Sequence, residues 1–300
     1  MLISNRKLYI DNKIDKYAYM NNMFMDHKLL HEYAEFIQTT DVLDIKIENG
    51  EVYFNLLSNN VRIKMVSNPF DTTSVPFTFL NMGSYEKEYI NVINLVKEND
   101  VVLDIGANTG WYTLNWLQQF KNINVFSFEP IYQNYIYLIK NLILNGQKTE
   151  NAFNFGFSNI NEKVNFFWDT ERFGASSLVN LRDTNKALPV QCEVRRLDDY
   201  FPALGIDKLD FIKCDVEGAE KLVFEGGIET IKKYKPLIFT EMLRKWSKKF
   251  GYHPNDIILL LRNIGYFCYA LGPGSYRLIE DITDDTMETN FLFFTESHKI

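Results

Sequence analysis

The segment VVLDIGANTG at 101–110 constrains this chain more than any other stretch. An apolar, β-branched run ends on an acid, Asp104, and passes through Gly106, Ala107 and Asn108 to a second glycine, Gly110. Helical spacing then starts near Trp111. Such a strand, tight turn and helix is the opening unit of a doubly wound α/β sheet, where ligands bind beyond the carboxyl ends of the strands. The two glycines allow a sharp turn and a close approach of backbone to a neighbour. The next strand, NVFSFE, ends on Glu129, about twenty residues past Gly110, the separation that brings an acid to a ribose diol.

Around that unit the chain alternates strands and helices. A helix is expected near 85–97, and the strand-like runs NAFNFGF, LDFIKCD and PLIFTE end near Phe157, Asp215 and Glu241. Helices at 131–145 and 219–233 fit between them, which predicts a mostly parallel sheet with helices on both faces. Residues 24–38 have helical apolar spacing, and residues 42–66 alternate around Asn49-Gly50 and Asn59-Asn60, pairs that favour hairpin turns. The expected fold is therefore α/β: a doubly wound, mostly parallel, Rossmann-like sheet at 81–300, preceded at 1–80 by a small helix and antiparallel β extension. The polar run RFGASSLVN, at Arg172 to Asn180, is long enough to overhang the site.

The glycine spacing points to the ligand. A nicotinamide dinucleotide needs G-x-G-x-x-G so that its pyrophosphate can lie on bare backbone. Here the glycines stand four apart with Asn108 between them. An acid at the strand end suits a ligand that carries an ammonium group and no phosphate, and the helix start favours a carboxylate. The amino-acid end of S-adenosylmethionine has both groups. A glycine loop alone also fits an ordinary strand-to-helix turn, so Glu129 adds weight to this reading.

Three acids, Asp215, Glu217 and Glu241, should share the rim with that ligand, as a catalytic base with its neighbours or as oxygen ligands for a divalent cation. The metal-free version is favoured, because no spacing here specifies a metal site. The competing use of Asp215, Glu217 and Glu220 is to cap the helix beginning near Gly218. His253 is a rival base with little positional support.

Other classes are excluded or disfavoured. The net charge of -7 argues against a nucleic-acid partner. No stretch is long and apolar enough to span a bilayer, and the amino terminus lacks a secretory core, so a cytoplasmic location is expected. Cys192, Cys214 and Cys268 lack metal or disulfide spacing and read as buried thiols. His27 and His31 stand four apart on a helix without a third ligand and read as surface residues.

These motifs together resemble the FkbM family of S-adenosylmethionine-dependent methyltransferases, over about Tyr85 to Ala270. The matching pieces are YEKE at Tyr85 to Glu88, VLDIGANTGWYT at Val102 to Thr113, FEP at Phe128 to Pro130, RRLDDY at Arg195 to Tyr200 and IKCDVEGAE at Ile212 to Glu220. The resemblance implies that Asp104, Gly106, Asn108 and Gly110 surround the methionine part, that Glu129 holds the ribose, and that Phe157 and Ser158 lie near the adenine. Tyr85, Ala107 and Asp215 complete the expected cofactor-binding set, and Asp215, Glu217 and Glu241 are the expected catalytic acids. Lys87 stands where the family often has proline, and Cys214 where it has an aliphatic residue. The activity that the resemblance implies is O-methylation of a small-molecule or glycan acceptor, at a sugar hydroxyl of a bacterial glycan or its precursor. A nicotinamide-dependent oxidoreductase and a cofactor-binding scaffold are the competing readings. Residues 1–80 lie outside the resemblance, which leaves them for acceptor binding or self-association.

Overall fold

A computed structural model describes residues 1–86, 90–272 and 275–298. The chain opens with helices α1 (Leu2–Ile10) and α2 (Lys16–Phe36), then a meander of β1 (Val42–Glu48), β2 (Glu51–Ser58) and β3 (Val61–Val66). Its two turns place Asn49, Gly50, Asn59 and Asn60 at positive φ, the geometry that the two residue pairs anticipate. Helix α2 begins eight residues earlier than expected, and α1 is not legible as a helix, since neither buries a residue that would set a period.

Helices α3 (Val75–Met82) and α4 (Ile90–Ile93) lead to β4 (Val101–Ile105), α5 (Trp111–Gln119), β5 (Asn124–Phe128) and α6 (Tyr132–Leu144). Part of the helix expected at 85–97, with Lys87, lies outside the described residues; the described helix there is α4 alone. The run NAFNFGF divides into β6 (Ala152–Phe153) and β7 (Gly156–Phe157), which join different sheets. A hairpin of β8 (Glu162–Asp169) and β9 (Ala187–Arg195) follows, then α7 (Leu197–Tyr200) and β10 (Phe211–Cys214). The helix expected at 219–233 is two, α8 (Glu220–Gly226) and α9 (Ile228–Tyr234). They part at Gly227, where a side chain would strike Leu197. The remaining elements are β11 (Leu237–Glu241), α10 (Arg244–Ser247), α11 (Pro254–Arg262), β12 (Phe267–Gly272), β13 (Ser275–Ile279) and β14 (Asn290–Phe294).

The large sheet has the order β13-β12-β14-β11-β10-β4-β5-β6. Strands β11, β10, β4, β5 and β6 run parallel, and β14 pairs antiparallel with both β11 and β12. This is the expected doubly wound, mostly parallel arrangement with an added antiparallel edge. The chain winds outward from β4 in one direction through β5 and β6 and in the other through β10 and β11. The order therefore reverses between β4 and β10, where such sheets bind ligands.

The period of two along β4 divides the core. Val102 joins a cluster with Trp111, Leu114 and Leu138 beneath α5 and α6, whereas Val101, Leu103 and Ile105 join Phe224, Ile257 and Leu261 beneath α8 and α11. Phe54, Leu56, Ile63 and Met65 of the meander belong to the first cluster, so β2 and β3 form a further layer over α5 and α6. Side-chain carbonyls of Asn141 on α6 and of Asn145 at its C-cap accept from the backbone N–H groups of Val66 and Lys64 at 2.9 Å each, fixing that layer's register. Among the described residues no helix is long and apolar enough to cross a membrane. All three cysteines are free and buried.

Candidate active site

The site is built where β4 and β10 end side by side. Lys213 is registered with Asp104, and Cys214 with Ile105. Gly106 then turns at φ +76, and a carbon added there would lie 1.9 Å from the carbonyl oxygen of Asp215. The backbone N–H groups of Gly106 and Ala107 both donate to the carbonyl of Phe128 at 3.0 Å, tying the turn to the end of β5. Asn108 and Gly110 also have positive φ, and Gly110 precedes the first residue of α5.

Glu129 is 4% exposed and sits at the end of β5. Its carboxylate accepts from the backbone N–H of Asn108 at 2.9 Å, from that of Ile131 at 3.0 Å, and from Asn134 Nδ2 at 3.4 Å. Burial pushes its carboxyl up to about 7, against the opposing pull of these N–H donors. A cleft of about 630 Å³, solvent mouth included, opens beside it. Gly106, Asn108, Glu129, Phe157, Asp215 and Glu217 all line this cleft. Phe173, Gly174, Ser176 and Leu178 of the segment between β8 and β9 line it as well, so that segment does overhang the site. It is held there by Asn134 Nδ2, which donates to the carbonyl of Phe173 at 3.3 Å, and by the Ser177 hydroxyl, which donates to the carbonyl of Glu217 at 2.7 Å.

Two oxygens of residues lining this cleft, Asn108 Oδ1 and Asn134 Oδ1, are buried without a hydrogen-bond partner among the described residues. Buried acceptors are nearly always paired, so this pair suits a ligand rich in N–H and O–H donors. S-adenosylmethionine offers such donors in its ammonium, its ribose diol and its adenine amine.

Five other residues expected at the cofactor make contacts within the protein. Asp104 is fully buried on the α5 face of β4, where its Oδ2 accepts from the Thr113 hydroxyl at 2.6 Å and from the Thr113 backbone N–H at 3.2 Å. Its other oxygen lies 3.4 Å from the Lys213 ammonium. Ala107 is buried in the core under α5, and Gly110 packs against Leu138. Tyr85 stands edge-on to Trp111 at 5.5 Å. Ser158 is buried, its backbone N–H donating to Arg195. None of these five lines the cleft.

Asp215, Glu217 and Glu241 come together, with one carboxylate oxygen from each lying within 4.8 Å of the others. Asp215 belongs to both the cleft and this cluster. Burial, and then the neighbouring acids, raise Glu217 well above the carboxylate range and push Glu241 up to about 10. Such a group holds protons at neutral pH or gives them up to a divalent cation, for which three oxygen donors are suitable ligands. The capping use of the acids falls to Glu220: its Oε1 accepts from the N–H groups of Val216 and Gly218 at 3.1 and 3.0 Å. His253 is the N-cap of α11, where its ring accepts from the N–H of Asn255.

Lys213, on β10, is a buried cation of this site. It lies beneath the rim, with its ammonium donating to the carbonyl of Gly106 at 2.7 Å and lying 3.7 Å from Asp215. Burial alone would lower its pKa, but Asp104, Asp215 and Glu86 outweigh burial and raise it. Glu86 was missed. It accepts from the Tyr112 hydroxyl at 2.6 Å, and burial pushes it up to about 7. Its only sequence signal is its place in YEKE.

The model of the methyltransferase FkbM domain matches residues 104–268. The 2-O-methyltransferase NoeI of Sinorhizobium fredii (strain NBRC 101917 / NGR234) is 29% identical over 169 residues, covering 52% of this chain and 68% of that protein. Methyltransferase sdnD of Sordaria araneosa is 28% identical over 197 residues, covering 56% of this chain and 74% of its own length. The crystal structure of methyltransferase FkbM from Methylobacillus flagellatus KT aligns with a TM-score of 0.41 at 17% identity, over 67% of this chain; the present chain spans 45% of that one. With its family match covering more than half its length, this chain belongs to the FkbM-domain methyltransferases.

Proposed function

We propose that the protein is an S-adenosylmethionine-dependent O-methyltransferase whose acceptor is a sugar hydroxyl, in a bacterial glycan or a precursor of one. The observation that carries this reading is Asp215, which lines the ligand cleft and also joins the cluster of acids at the strand ends. The name of NoeI supports oxygen as the accepting atom. When bound, S-adenosylmethionine supplies a methyl group on a sulfonium, open to in-line attack. In this reading Glu129 accepts from the ribose diol, Phe157 and Phe173 bound the cleft, and Asn108 and Asn134 accept from donors on the ligand. The acceptor hydroxyl lies at Asp215, whose carboxylate takes its proton. Orientation of the two reactants supplies much of the rate, and the base adds roughly 10²- to 10⁴-fold.

Calorimetry with S-adenosylhomocysteine and with NAD tests the cofactor, and transfer of labelled methyl to a panel of mono- and oligosaccharides tests the acceptor. Binding of S-adenosylhomocysteine alone is expected, with label in an alkali-stable ether of one sugar. Preference for NAD would overturn the cofactor reading. Methylation confined to non-sugar acceptors would overturn the substrate class, and tight cofactor binding without turnover on any acceptor would favour a scaffold.

A further inference from the structure

The turn that overhangs the cleft between β8 and β9 is held from two places in the chain. The backbone N–H groups of Glu171 and Arg172 donate to Asp169 Oδ1 at 3.0 and 3.1 Å. That of the next residue, Phe173, donates to Asp71 Oδ1 at 3.3 Å, across 102 residues of sequence. Asp169 ends β8, whereas Asp71 lies in the connection between β3 and α3, in the amino-terminal extension. Asp71 is 3% exposed, and the same oxygen accepts from the backbone N–H and the hydroxyl of Thr73 at 3.0 Å each. Beside it Thr72 donates twice to the carbonyl of Glu171, through its backbone N–H at 2.8 Å and its hydroxyl at 2.9 Å.

An aspartate that only shaped its own turn would need no more than the Thr73 contacts. The bonds to Phe173 and Glu171 instead reach across to the segment over the cleft. Phe173 is gripped at both ends of its backbone, because its carbonyl accepts from Asn134 Nδ2 at 3.3 Å, and that amide also donates to Glu129 at 3.4 Å. A path of hydrogen bonds thus runs from Asp71 through Phe173 and Asn134 to Glu129. Phe173 and Gly174 line the cleft, and a carbon added to Gly174 would lie 3.3 Å from Asn108 Nδ2, so the turn sits close over the glycine loop. A ligand that must first order such a turn binds more weakly than one that finds it in place. Hydrogen bonds to an ionised acceptor are the stronger kind for holding it.

We propose that Asp71 is a positioning residue for cofactor binding: from outside the FkbM domain it sets the backbone of Phe173 and, through Asn134, the carboxylate of Glu129. The extension thereby completes the cleft. This rests on the reading of the cleft as the S-adenosylmethionine site.

Calorimetry of the full-length chain with S-adenosylhomocysteine tests it. Asp71→Ala removes the acceptor and should weaken binding about tenfold or more, the loss expected when the competent arrangement falls to about a tenth of the population. Asp71→Asn keeps a carbonyl oxygen for the same donors and should restore binding to within about threefold of wild type. Burial, with Asp169 nearby, raises the pKa of Asp71 against the pull of its donors, so a neutral amide suits the position. Asn145→Ala, which loosens the meander from α6, should lower stability without changing affinity.

Hydrogen exchange on the wild type needs no folded variant. Coupling is reciprocal, so S-adenosylhomocysteine should slow exchange at the Thr73 amide, which donates to Asp71 and lies outside the cleft lining. The amides of Lys64 and Val66, which donate to Asn145 and Asn141, should not respond. A wild type that does not bind S-adenosylhomocysteine would overturn the cofactor reading and this proposal together. Binding that Asp71→Ala leaves intact, an Asn variant as weak as the Ala variant, or exchange at Thr73 that ignores the ligand would overturn this proposal alone.

Discussion

Gly106 and Asp215 touch through their backbones: a carbon added to Gly106 would sit 1.9 Å from the carbonyl oxygen of Asp215. The turn that borders the ligand cleft and the turn that carries the central acid therefore form one rigid unit across the switch point of the sheet. Lys213 completes it from below, donating to the Gly106 carbonyl and lying near both Asp104 and Asp215. The two glycines of the loop thus serve the protein's own packing before they serve any ligand.

Gly106→Ala should consequently lose stability and binding together. The positive φ alone costs about 1–2 kcal/mol for an L-residue, and relieving a backbone clash must part β4 from β10, so a total loss above about 2 kcal/mol is expected. Gly50→Ala supplies the comparison, since Gly50 has φ +80 and nothing within 4 Å. Urea unfolding of both variants measures the difference. Equal losses would show that close approach at Gly106 has no energetic weight.

Glu129 gives a pH dependence whose sign follows from its environment. Burial holds its carboxyl near 7, so it is ionised above that value and protonated below it. Only the ionised form offers both oxygens as acceptors to a ribose diol. Affinity for S-adenosylhomocysteine should fall as pH drops through about 7, approaching tenfold per unit if a single proton is linked. Glu129→Gln should bind more weakly, by about 1.5–3 kcal/mol at pH 8, and should lose the dependence. Calorimetry between pH 6 and 8 checks both. A wild-type affinity that is flat over this range would remove the carboxylate from the contact.

Much of this was legible in the primary structure because it is local. The strand, turn and helix around Gly106, the acid at Glu129 and the three acids at the rim each announce themselves by spacing within a short segment. Asp104 shows the limit: its position at a strand end suggested a ligand contact. The alternation along β4 sets it on the same face as Val102, beneath α5, where Thr113 donates to one oxygen and the Lys213 ammonium lies 3.4 Å from the other. Strands β12, β13 and β14 were not read at all, since β14 reaches its place only by inserting between β11 and β12. Glu86 acquires its raised pKa from burial and its hydrogen bond from Tyr112, 26 residues on, neither of which a local pattern encodes.

Removal of residues 1–70 should yield aggregating protein rather than a smaller enzyme. The truncation strips β1 to β3 and uncovers Leu114, Leu138 and Leu142, which share one core with Ile63 and Met65. It also leaves the side chains of Asn141 and Asn145 without the backbone donors of Val66 and Lys64. Removal of residues 1–36 alone takes nothing from that core and should leave a folded, cofactor-binding protein. Thermal unfolding with light scattering compares the two. A soluble, cooperatively melting product lacking 1–70 would show that the meander is dispensable.

Asp215→Asn addresses the transfer step while preserving size and the backbone contact to Gly106. If Asp215 takes the acceptor's proton, the substitution should slow turnover by about 10²-fold or more while cofactor affinity changes little. The neighbours sharpen the expectation, because Glu241 is held near 10 and so carries a proton at neutral pH, donating rather than competing for one. Glu241→Gln should therefore be much milder than Asp215→Asn. A divalent cation would reverse this logic by displacing the protons from Glu217 and Glu241, which makes both substitutions severe and strengthens metal binding as pH rises. The expected result is turnover that is insensitive to EDTA. Activity lost to the chelator and restored by magnesium would assign the three acids to a metal, and near-normal turnover by Asp215→Asn would remove Asp215 from the chemistry in either form.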